Sequence, residues 1–250
     1  MLGMKPIVFL GPSLSRAVAE SELDAEFRPP AAQGDVYRAA RHHPPAIGII
    51  DGYFDRVPAV WHKEILWALS KGIHVLGAAS MGALRAAELA EFGMRGVGKV
   101  FQAFAVGKLA DDDEVAIAHA SAEHGYRAAS DALVNIRATL EAARQRDILT
   151  REEEQALIGV AKTMFYPDRS YPALLRHASG MRFTPERIGA LESHFASHRI
   201  DVKAADAREL LIELRRTCEA ALPPPRPGYL FVETEAWQRF VDGAGHDRES

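Results

Sequence analysis

Ser80 stands in Ala78-x-Ser80-x-Gly82, a serine between small residues where an apolar run gives way to a helical stretch. The pattern departs from the nucleophile elbow G-x-S-x-G only in its first glycine. Small neighbours permit a sharp strand-to-helix turn, which lifts the side chain clear of the sheet. The first free N–H groups of the helix, at Met81 and Gly82, can then hold an oxyanion. A helix N-cap and a phosphate-binding turn suit the same position. A nucleophilic serine also needs a base. Ten histidines are available, and none is singled out by its place in the chain. Lysine is the other choice, because a desolvated ammonium gives up its proton where a guanidinium does not. Lys63 lies on the helix before the Ser80 strand, with Leu66 and Trp67 at i+3 and i+4 to shield it. A helical wheel nevertheless turns it away from the Trp61, Ile65, Ala68 stripe, where an ordinary solvent-exposed lysine sits.

Two further strand ends carry polar groups, Gly11 with Ser13, and Asp51 with Gly52 and Tyr53. Ligands of open α/β sheets collect at the carboxyl ends of strands, so neighbouring strands would gather these residues with Ser80 as a binding crevice. Ordinary turn chemistry is the competing account of Ser13 and Asp51. Arg85, one turn beyond Ser80, suits a carboxylate ligand or a surface salt bridge. His194 and His198 have a helical metal-ligand spacing but lack a third ligand. The acidic run Asp111–Glu114 suits magnesium or plain solvation, and 165–171, rich in aromatic and charged groups, suits a partner surface, the rim of the site or local packing. With no Walker loop and no G-x-G-x-x-G, neither a nucleotide cofactor nor a metal is expected.

The elements that position these residues follow a βα rhythm. Short apolar runs at 6–10, 46–50 and 73–76, and a shorter one at 26–28, read as parallel strands separated by helices. Helices are expected at 35–42, 58–71, 83–89 and 97–108, and the alternation at 115–119 reads as a further strand. Beyond about residue 125, helical spacing and capping dominate at 130–145, 150–164, 170–178, 184–198 and 202–221. The expected fold is therefore α/β, an N-terminal parallel-sheet core with flanking helices followed by a mainly helical C-terminal part. Residues 1–124 form the core carrying Ser80, 125–222 the helical part, and 223–250 a proline-rich linker and tail whose aromatic residues at 229–241 dock and whose last eight or so residues fray.

Composition narrows the function. The 250 residues are 48% hydrophobic and 26% charged, with a net charge of −4, which suits a globular protein rather than a coat for nucleic acid or anionic membrane. Only seven of the 30 basic residues are lysines, so each merits inspection. The lone Cys218 leaves no internal disulfide and no cysteine zinc cage, and suits a reducing compartment. No apolar run is long enough to span a bilayer, and the first residues lack a secretory signal pattern; a cytoplasmic location is expected.

Several stretches resemble the TfuA-like proteins: 8–14, 50–54, 62–66, the long Gly77–Leu89 run around Ser80, and 112–116, with looser likeness at 135–137 and 165–166. The resemblance implies a partner of YcaO enzymes in peptide backbone thioamidation. It implies release of sulfide from the thiocarboxylated C-terminus of a ThiS-like sulfur carrier, for use on a peptide held in the YcaO complex. It also implies a Ser-Lys pair, which falls on Ser80 and Lys63. A non-catalytic adaptor that helps the YcaO enzyme bind its peptide is the alternative. A general serine hydrolase or phosphate-ester binder is a third reading.

Overall fold

The computed structural model describes residues 4–53, 57–181, 183–220 and 222–244. Phe54 of the 50–54 stretch, Ala221 at the end of the last expected core helix, and the tail residues 245–250 lie outside them. Five strands, β1 (Ile7–Phe9), β2 (Glu26–Arg28), β3 (Ala46–Ile49), β4 (His74–Ala78) and β5 (Arg95–Val97), form one sheet. Their order is β2-β1-β3-β4-β5 and every pair is parallel. Helices α1 (Arg16–Glu22), α2 (Asp35–Ala40), α3 (His62–Ser70) and α4 (Met81–Leu89) make the crossovers.

Alternation along each strand feeds two cores, as the period of two requires. Ile7, Phe9, Ile47, Ile49 and Val75 meet α2, α3 and α4 on one face. Val8 and Leu76 meet α1 and the long helix α10 (Val202–Glu219) on the other, through Leu210, Leu211 and Leu214. The chain thus returns from its helical part to close the second face of the sheet. That helical part comprises α6 (Leu133–Gln145), α7 (Arg151–Thr163), α8 (Tyr171–Ser179) and α9 (Pro185–Ser197) around a core of its own that includes Leu140, Leu157 and Leu174. Thr150, Ser170 and Thr184 cap the last three of these helices with their side chains.

Two expectations change. The helix expected at 97–108 begins later, as α5 (Gly98–Ala105), because 95–97 is the edge strand β5. Residues 115–119 add no strand; Val115 and Ala116 are buried in irregular backbone, and His119 makes only an isolated bridge to Ala128. Val115, Ala116, Ile117 and His119 all line one crevice. The C-terminal segment does dock: Trp237, on α11 (Glu235–Ala244), is 2% exposed, with its ring 5.5 Å from Tyr37 and 6.0 Å from Trp67.

Candidate functional site

In the observed order, β1 connects to β2 on one side while the next strand, β3, lies on its other side. The sheet therefore reverses direction between β1 and β3, the place where strand-end loops part and leave room for a ligand. Asp51 closes the gap between these loops. It is 2% exposed, and its carboxylate accepts the N–H groups of Gly11 and Ser13 at 2.9 and 3.1 Å and the Ser13 hydroxyl at 2.6 Å. Gly11, Ser13 and Asp51 are therefore spent on one another, the turn chemistry weighed above. Tyr53 continues the stitch, its N–H donating to the Ala31 carbonyl at 2.9 Å.

The β4 end is built differently. Ala79 has φ of 64°, the left-handed region that a residue with a Cβ seldom adopts, and the Ser80 N–H folds back onto the Ala78 carbonyl at 2.7 Å. Such tight, strained turns gather at functional sites. Ser80 occupies the N-cap position of α4, and its carbonyl accepts the Ala83 N–H at 2.9 Å, yet its side chain makes no capping bond. Close packing holds the turn: a Cβ on Gly82 would fall 1.7 Å from the Ile49 carbonyl oxygen, and one on Gly77 would fall 2.1 Å from that of Gly82. The same approach corrects the expected oxyanion hole. The Gly82 N–H donates to the Ile50 carbonyl at 3.3 Å and is not available. The Met81 N–H has no backbone acceptor among the described residues.

A crevice of about 450 Å³ opens over these strand ends, with Asp51, Gly52, Ser80 and Met81 on its floor and His119 and Tyr166 among its other walls. His119 is half-buried, its Nδ1 2.8 Å from the Ala120 carbonyl oxygen and its ring 6.2 Å from Tyr53 and 5.7 Å from Tyr126. Burial, with a bond to Tyr53, pushes the Tyr126 phenol up to about 12. An adjoining cavity of about 360 Å³ shares Pro12 and Ile117 with the crevice and holds Ser13, Ser130 and Lys203. Lys203 is 2% exposed and donates to the Val115 carbonyl at 2.8 Å. Burial holds it below the usual lysine range, against the pull of Asp51 and Asp201.

Two expected site residues point elsewhere. Lys63 does not line the crevice; its Nζ donates to Thr234 Oγ1 at 2.8 Å and lies 5.5 Å over the Phe231 ring, holding the C-terminal segment against α3. Arg85 donates to the Val60 carbonyl at 3.0 Å and to Glu88 at 2.7 Å, so it fastens α4 to the loop before α3 in place of a substrate. Glu64, next to Lys63, is fully buried, and its carboxylate accepts the N–H groups of Gly34, Tyr37 and Trp61. The acidic run divides: Asp111 and Asp112 are exposed, while Asp113 and Glu114 are drawn into ion pairs. Asp113 and Glu114 pair with Lys162, Arg169 and Arg137, tying the loop that flanks the crevice to the helical part. Arg169, 0% exposed, lies at the centre of 165–171, while Tyr166 reaches the crevice and Phe165 is 63% exposed. His194 spends Nε2 on the Thr139 carbonyl at 3.1 Å. Among the described residues, no group of three or more His, Cys, Asp or Glu is placed to hold a metal ion. The same holds for membrane spans: no described helix is long and apolar enough to cross a bilayer.

Sequence reasoning missed His119 and Lys203, whereas Tyr166 lies within 165–171, for which the rim of the site was one reading. His119 lies just beyond the 112–116 stretch; Lys203 had only its scarcity as a lysine.

Fold and site together define a doubly wound α/β protein with a serine at a strained strand-to-helix turn, open to a crevice at the point where the strand order reverses. The sequence model of the TfuA-like protein family matches residues 51–170, a span that takes in Asp51, Ser80, His119 and Tyr166, and over it the chain is similar to that family. The match supports a part in YcaO-associated thioamidation. No curated protein matches the chain.

Proposed function

We propose that the protein is a hydrolase that releases sulfide from the thiocarboxylated C-terminus of a ThiS-like carrier and supplies it to a YcaO enzyme thioamidating a peptide. One observation carries the reading. Ser80 makes no side-chain capping bond, sits at a strained turn and lines the crevice over the strand ends. Ser80 Oγ attacks the thiocarboxylate carbon, the C–S bond breaks, and hydrosulfide leaves with the serine proton. Water then cleaves the acyl-serine to carboxylate and free serine. The Met81 N–H is the oxyanion donor of this reading. In its Ser-Lys form Lys63 takes the serine proton, which requires its bond to Thr234 to open.

The test is sulfide release from a thiocarboxylated carrier by wild type and Ser80→Ala, both checked for folding by circular dichroism. Loss in the variant supports the hydrolase; equal release by both defeats it. The adaptor reading draws on Leu230 and Val232, 87% and 59% exposed on the docked C-terminal segment, an apolar surface suited to a protein partner. An adaptor keeps its stimulation of the YcaO enzyme in Ser80→Ala.

A further inference from the structure

We infer that His119 is the general base for Ser80, an assignment that rests on the hydrolase reading above. His119 and Ser80 line one crevice. The Nδ1 of His119 lies 2.8 Å from the Ala120 carbonyl oxygen. A carbonyl only accepts, so Nδ1 carries the hydrogen and Nε2 of the neutral ring carries the lone pair. A base that must take a serine proton needs this tautomer, and here the main chain fixes it in the way a carboxylate does in a Ser-His-Asp arrangement.

The backbone at His119 is held on both sides. The Ala120 N–H donates to Arg127 at 2.9 Å and the Ala129 N–H to Ala118 at 2.8 Å, flanking the bridge from His119 to Ala128. The rings of Tyr53 and Tyr126 flank the imidazole. Among the described residues, the other titratable groups lining the crevice are Asp51, Asp112 and Tyr166. Lys203 sits in the adjoining cavity with its ammonium turned to the Val115 carbonyl.

The step balances. Nε2 takes the Ser80 proton as the Oγ–C bond forms; the C–S bond breaks, and the departing sulfur takes that proton and leaves as hydrosulfide. In the second half Nε2 takes a proton from water, the hydroxyl adds to the acyl carbon, the C–Oγ bond breaks, and the proton returns to Ser80. The carboxylic acid product loses its own proton to solvent.

The experiment follows sulfide release from a thiocarboxylated ThiS-like carrier between about pH 5 and 9 for wild type, Ser80→Ala, His119→Ala, His119→Gln and Lys63→Ala. Wild type should gain rate with rising pH along a limb set by loss of the base's proton. Both His119 variants should lose that limb and about a hundredfold or more in rate, and imidazole should restore part of the rate of His119→Ala. His119→Gln keeps the polar bulk should the alanine variant not fold, and the wild-type limb needs no variant at all. A wild-type rate without the limb, both His119 variants retaining rate and limb, or a hundredfold loss confined to Lys63→Ala overturns the assignment. Wild type that releases no sulfide, or Ser80→Ala that releases it undiminished, removes the hydrolase reading itself, a different result from His119-independent but Ser80-dependent release.

Discussion

Ser80 and Lys63, the two residues that the resemblance pairs, lie in regions of opposite character. Around Ser80 four strand ends part and leave an open crevice lined by a hydroxyl, a carboxylate and an imidazole. Around Lys63 the C-terminal segment closes down. The rings of Tyr37, Trp61, Trp67 and Phe231 each lie within 6.2 Å of Trp237, tilted or edge-on, and the ammonium is spent on Thr234. The hydrogen bonds tell a reactive group from a structural one better than position in a motif does. Ser13 and Ser80 make the same point on the sheet's carboxyl side, since both follow strands and only Ser13 has its hydroxyl occupied by Asp51.

The largest effect expected from this contrast is catalytic. Ser80→Ala should lower sulfide release by about a thousandfold or more, as removal of a nucleophile does, while changing unfolding free energy by less than about 0.5 kcal/mol, because no capping bond is lost. Paired measurements of release and urea denaturation check it. A variant that loses stability and rate in step would make Ser80 structural and erase the difference between the two regions.

Glu64 gives the next effect, on the Lys63 side. Burial raises its carboxyl to about 7, against the three N–H groups that lower it. A folded-state value above the unfolded one means that the native protein holds a proton the unfolded chain has lost. Stability should therefore fall as pH rises from 4.5 to about 7. At about 1.4 kcal/mol per unit, the fall is up to about 3 kcal/mol. Denaturation across that range should show the limb in wild type and not in Glu64→Gln. A difference between the two that does not vary with pH means that the N–H donors keep Glu64 ionised.

Much of the site's scaffold was legible because local pattern determined it. The β1, β3 and β4 runs are continuous and apolar, and Ser80 falls at a turn that its small neighbours announce. The edge strand β5 has three residues, Arg95, Gly96 and Val97, too few for a periodic signal. The helical wheel turned Lys63 off the α3 stripe correctly. What covers it, Thr234, comes 171 positions later, and no local pattern carries a contact at that distance. His119 was equally invisible, since its tautomer depends on how one carbonyl is turned.

Ser13→Ala tests the crevice side from below. It removes a buried 2.6 Å bond to Asp51 but leaves that carboxylate two N–H donors, so the expected cost is about 1–2 kcal/mol, with release changed by less than about threefold in the folded variant. A loss of rate as large as that of Ser80→Ala would mean that the hydroxyl leaves Asp51 during the reaction.

The smallest effect belongs to Lys63. Lys63→Met keeps the apolar stem over Phe231 and removes the ammonium, and with it one partly exposed hydrogen bond and a weak attraction to two rings. The change is worth about 1 kcal/mol, and it should fall on the C-terminal segment alone, because Tyr229, Trp237 and Phe240 also anchor the segment. Local opening of a docked segment exposes the proline-rich stretch before it to proteases at a rate set by its own docking energy. Limited proteolysis of the folded variant should therefore cut within 222–233 about fivefold faster than in wild type, with the midpoint of global unfolding nearly unchanged. Equal cleavage rates would leave the aromatic stack as the sole clamp and free Lys63 to turn toward the crevice, which would join the two regions that this structure keeps apart.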